Sequence, residues 1–174
     1  MSVEALIQHA RRYCDWAESD SHDMETVYEL LRSLRNAAER LQSSSCPEGL
    51  RASLGPPAEV QHKEAKRFAD FPFQCYYPSY WPDRPLPLTD NIHENFAWIY
   101  AELRRGLEVM DRSEVADLNG YWHYSYAFRW GHHVSAAIWA IEWHKHAEPD
   151  AAPNGGPAAS VQNSSAPGGP PSVS

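Results

Sequence analysis

An all-α fold, a helical bundle of about four main helices, is what the sequence predicts, and three observations carry that expectation. Apolar residues recur at alternating spacings of three and four in long segments, the period of one helix face. The first two such segments are joined by a short polar turn, which favours antiparallel neighbours. The remaining connection is crowded with prolines, which suit neither a helix interior nor a central strand.

The first element places Val3, Leu6, Ile7, Ala10, Tyr13, Cys14 and Ala17 on one face, with Ser2 as its N-cap. After SDSHD the pattern resumes with Met24, Val27, Leu30, Leu31, Leu34, Ala37, Ala38 and Leu41, capped by Asp23. Residues 43–58 are Ser, Gly and Pro punctuation and read as a loop, and EVQHKEAKRFADF reads as a short helix. The next stretch, FPFQCYYPSYWPDRPLPLTD, is an extended aromatic connection whose rings are too many to leave wet, so it is expected to pack over the helices. A third long helix runs from a cap at Thr89 or Asp90 and is lined by Ile92, Phe96, Ile99, Tyr100, Leu103, Leu107 and Met110. Asn119 and Gly120 mark a break before the last helical stretch, YWHYSYAFRWGHHVSAAIWAIEWHKH. The helical domain spans residues 1–147. The Pro, Gly, Ser and Ala-rich tail, 148–174, has too few apolar residues to offset its ordering entropy and is expected to be disordered.

A formal charge of −8 on 174 residues excludes a duplex nucleic-acid binder, which must neutralise phosphates, and points to basic or neutral partners. No apolar run approaches the roughly 20 residues of a membrane span. Three cysteines without C-x-x-C spacing read as structural thiols in a reducing, cytoplasmic compartment.

In the last stretch, regular helical phasing puts Trp122, Tyr126, Arg129, His133, Ala137, Ala140 and His144 on the buried side. Tyr124, Ser135, Glu142, Lys145 and His146 fall on the wet side. Arg129 and His133 are the informative pair, because a buried charge needs an acceptor. Asp23, Asp90, Glu94 and Glu102 are the candidates. A polar network that fixes helix register is the first reading; an anion-binding or proton-transfer site beneath the aromatic segment 71–82 is the second. The ligand-facing candidates are Arg129, His133, Trp130 and Tyr126 on the helix, with Tyr77 and Trp81 in the aromatic segment.

No two histidines stand three or four apart, and adjacent His132 and His133 diverge by about 100°, so no metal is expected. His9, His22, His62 and His93 sit on separate segments and read as surface or helix-edge residues. Cys14 and Cys75 lie among apolar residues and read as core thiols. No phosphate loop, nucleophile elbow or other complete catalytic motif is present, and no cofactor is implied. The expected function is therefore a non-catalytic protein-binding module, an adaptor or an immunity-type antagonist. The alternative is a small-molecule site or an enzyme around Arg129 and His133.

The order of these features resembles a bacterial family described as domain of unknown function 5063. The likeness rests on NIHENFAWIYAELRRGL and on Trp130-Gly131-x-His133 followed by small residues, and it spans residues 3 to about 143. Where a histidine precedes Trp-Gly in the pattern, this chain has Arg129. The resemblance implies a compact, mostly helical bacterial domain and brings no activity with it.

Overall fold

A computed structural model describes residues 3–41, 64–76, 90–112 and 118–146. Helix α1 is Val3–Ala17, α2 is Met24–Glu39 and α3 is Ile92–Asp111. The last rod is continuous but not uniform: α4, Leu118–Ser125, passes through a π-helical turn at Tyr126–Trp130 into α5, Gly131–His146. A 3-10 turn, Lys66–Phe68, and two two-residue strands complete the elements. The strands, β1 at Cys75–Tyr76 and β2 at Asp90–Asn91, pair antiparallel with Cys75 opposite Asn91.

The expected all-α bundle is what forms. Helix α1 packs on α2 and α3, and α5 packs on α3 and α2. Their facing stripes supply Leu6, Ala10, Leu31, Leu34, Phe96, Ile99, Leu103, Val134 and Ile141 to one buried core. Each such Leu or Ile contributes about 1.5–3 kcal/mol of transfer free energy. A tryptophan locks two of the helices at close range. The ring of Trp122 lies on Gly106 so closely that a Cβ there would fall 2.4 Å from it.

Caps follow local chemistry. Asp23 accepts from the N–H of Thr26 at 3.0 Å, as expected. The cap of α3 is Asn91 rather than Thr89 or Asp90, its side chain accepting from the N–H of His93 at 2.9 Å. The pairing of β1 with β2 holds Asp90 and Asn91 extended, and this delays the helix by one residue.

The break expected at Asn119 and Gly120 is absent: α4 runs through both. Of the short helix expected before the aromatic segment, Glu64 and Ala65 are helical and lead into the 3-10 turn, and residues 59–63 lie outside the described residues. Ser2, the loop 43–58, most of the aromatic segment, including Tyr77 and Trp81, and the tail 148–174 lie outside the described residues.

Candidate functional site

The π turn decides what the last helix presents. The N–H of Gly131 bonds the carbonyl of Tyr126, five residues back, so the turn holds one residue more than an α-helical turn. Gly131 permits this, because a Cβ would sit 2.6 Å from that same carbonyl oxygen and 2.9 Å from the Tyr126 ring. The Tyr126 ring also meets Trp130 edge-on at 5.0 Å.

One inserted residue rotates everything after it. The buried stripe passes through Tyr121, Trp122 and Ser125, then Trp130, Val134, Ala137, Ile138 and Ile141. Arg129 and His133, placed mid-stripe by regular phasing, come to its half-buried edge. Trp130 is fully buried, and half-buried Tyr126 directs its hydroxyl to Glu39 on α2 at 3.3 Å. Lys145, expected on the wet side, instead turns to α2. Its ammonium lies 2.8 Å from Glu25 and 4.1 Å over the Tyr28 ring, while the Tyr28 hydroxyl donates to Glu142 at 2.8 Å.

A polar seam runs between α3 and this rod. His133 Nδ1 donates to the side-chain oxygen of Asn95 at 2.7 Å, and its ring stacks on Trp98 at 5.3 Å with the planes 11° apart. Burial, with the neighbouring His132 as a smaller cause, lowers the His133 pKa to about 3, so the ring is neutral at physiological pH. Two turns further along α3, Glu102 is 0% exposed. Burial raises its carboxyl to about 7, against the pull of Arg105 and Arg129. Ser125 faces it from α4, and its hydroxyl, in looser geometry than a full hydrogen bond, pulls the carboxyl in the same direction as the two arginines. Of the acids expected to face Arg129, Glu102 is one that feels its charge, and His133 takes an amide rather than an acid.

Folding also gathers groups that no spacing linked. His22, His93 and Asp70, on three separate segments, meet beside the 3-10 turn. His22 Nδ1 lies 2.6 Å from Asp70 Oδ1, and the His22 backbone N–H donates to Asp70 Oδ2 at 3.1 Å. The His22 ring meets Trp16 and Phe68 edge-on, each at 5.0 Å. His93 is held below the ordinary histidine range by burial, opposed by the Phe73 backbone and Asp70. Both histidines are therefore core residues rather than surface ones. Cys14 is a core thiol, its pKa raised to about 12 chiefly by burial.

The described end of the aromatic segment packs on the helices as expected, Phe71 against Phe96 and Phe73 stacked on His144 at 4.3 Å. That contact is eleven residues, about 16 Å of helix, beyond His133. Outward aromatic surface comes chiefly from the π turn: Phe128 is 67% exposed with the Tyr124 ring beside it at 4.7 Å, and Trp143, 36% exposed, adds to it from the end of α5.

Fold and site together define a four-helix bundle with a largely enclosed polar seam and an aromatic knob on its bulged last helix. Among the described residues no group of three side chains is arranged to hold a metal ion, and no helix is long and apolar enough to cross a membrane. No protein-family model and no curated protein matches the chain. Among solved structures it is similar to the crystal structure of protein BF1032 from Bacteroides fragilis. The TM-score is 0.62 at 17% identity, covering 84% of this chain and 93% of that one. At that identity the likeness shows a shared fold.

Proposed function

We propose that this domain is a non-catalytic protein-binding module whose contact centre is the Tyr124 and Phe128 knob. The observation that carries the reading is the 67% exposure of Phe128, well above the 36% of Trp143 on the same rod. An exposed aromatic on a rigid element is the kind of anchor that dominates interface energies. The groups that could serve acid-base chemistry support the same reading. His133 has Nδ1 engaged by Asn95 and one face covered by Trp98, and Glu102 is sealed from solvent. These contacts weigh against the alternative, a small-molecule site or enzyme at Arg129 and His133.

The charge of −8 favours a basic or neutral partner surface. In this reading the chain is a cytoplasmic adaptor or immunity-type antagonist and a member of the 5063 family it resembles. The test is quantitative affinity capture with the full chain and with Phe128→Ala. A partner retained by the unaltered chain should fall at least about tenfold, the loss of a typical aromatic anchor, while the thermal melt stays unchanged. Equal recovery by both proteins would remove the knob from the interface.

A further inference from the structure

The aromatic knob has a cation for its immediate neighbour. Arg129 follows Phe128 within the π turn and is half-buried. Its charge is felt at the Glu102 carboxyl, but among the described residues no hydrogen bond or ion pair holds its guanidinium. Acids are also missing along the rod: residues 118–141 contain three histidines and Arg129, and neither Asp nor Glu. The acids that approach the turn from neighbouring helices are turned away from the knob. Glu102 of α3 is wholly buried, and Glu39 of α2 takes the Tyr126 hydroxyl at 3.3 Å. The charge of −8 is therefore carried by the rest of the chain, and the surroundings of the knob have the opposite sign.

We propose that Phe128, Tyr124 and Arg129 form one docking patch for an acidic segment of a partner protein, whose apolar side chains pack on the two rings while a carboxylate takes the guanidinium. This rests on the reading of the knob as the contact centre and adds the chemistry of what it contacts. A standard interface removes roughly 800 Å² of surface from each partner, more than one aromatic side chain can supply, so an occupant that covers Phe128 also takes water from Arg129. A guanidinium that loses water without gaining an acceptor opposes binding. A carboxylate meets the need best, because it offers two parallel acceptors and makes charge-assisted bonds about twice as strong as neutral ones. A basic segment would bring a like charge to the same place. Over longer distances the charge of −8 still disfavours strongly acidic proteins, so the acidic segment belongs to a partner that is neutral or basic in sum.

The probe is a displayed library of random peptides, selected on the full chain and counter-selected on Phe128→Ala. Retained peptides should pair apolar residues with Asp or Glu. On the unaltered chain, replacing the carboxylate of a selected peptide by its amide should weaken binding about tenfold, and added salt should narrow that gap. On Arg129→Met the acid and amide peptides should bind alike. The amide and salt comparisons use the unaltered chain alone, so they decide the matter even if a variant folds poorly. Peptides that need Phe128 but bind equally as acid and amide, or that are enriched in Lys and Arg, overturn the proposal and leave the knob as a contact. A selection that yields no peptide dependent on Phe128 overturns both. Phe128-dependent sedimentation with phosphatidylserine vesicles, where no peptide is retained, assigns the patch to a lipid surface and overturns the proposal as well.

Discussion

Asp70 shows how much a single side chain can organise without a local signal. It receives two hydrogen bonds from one residue, the backbone N–H and the ring Nδ1 of His22, at 3.1 and 2.6 Å. Burial pushes its pKa up, but the hydrogen bonds from His22 outweigh it and leave Asp70 below the usual carboxylate value. An acid held low in the folded state adds stability that is complete above its unfolded value, 3.8, and is lost as pH falls through the folded one. Asp70 is nearly half exposed, so solvent screening keeps the effect modest. Asp70→Asn, which keeps the shape and removes the charge, should cost about 1 kcal/mol at pH 7 in urea denaturation. A melt identical to that of the unaltered chain would mean that His22 holds its place by packing on Trp16 and Phe68 alone. None of this was legible beforehand. His22 and Asp70 stand 48 positions apart in the sequence, and the histidines read as edge residues because nothing local says which distant acid they will meet.

At the scale of elements, legibility divides along a physical line. Three- and four-residue periodicity located α1, α2 and α3, since each uses its apolar stripe in a regular helix. The last helix defeated the same reasoning because a π turn adds one residue, rotating the following helix by about 100° relative to regular phasing. Trp130 and Val134 therefore replace Arg129 and His133 in the core, and Lys145 comes round to Glu25. The visible clue was Gly131, although its consequence, a carbonyl bonded five residues on, needed the backbone to be seen. Two glycine substitutions test the geometry. Gly131→Ala sets a Cβ against a backbone oxygen that cannot give way, and Gly106→Ala sets one against the indole of Trp122, which is itself fully enclosed. Each should lower stability by about 1–3 kcal/mol, the usual cost of overpacking a well-filled core. Stability within experimental error of the unaltered chain for Gly106→Ala would show that Trp122 has somewhere else to go.

For the whole molecule, the seam predicts an unusual acid-stability profile. Glu102 rises from 4.5 to about 7 on folding, so between those values the folded state holds a proton that the unfolded state does not, and stability falls as pH rises. His133 drops from 6.5 to about 3, so between those values the unfolded state holds the extra proton, and stability rises with pH. Where the windows overlap, from 4.5 to 6.5, the two slopes have opposite signs and similar size, and their joint contribution is nearly flat. Removing one partner exposes the other. Glu102→Gln should gain stability as pH rises across that window, and His133→Gln should lose it, each by roughly 2 kcal/mol over the two pH units. Urea denaturation of the unaltered chain and both variants at pH 4.5, 5.5 and 6.5 reads this directly. If both variants keep the profile of the unaltered chain, the two groups are solvated in the folded protein and the seam is not the closed interior described above. Opposite tilts would establish that one bundle carries a buried base kept neutral and a buried acid kept protonated on the same pair of helices, each offsetting the other's dependence on pH.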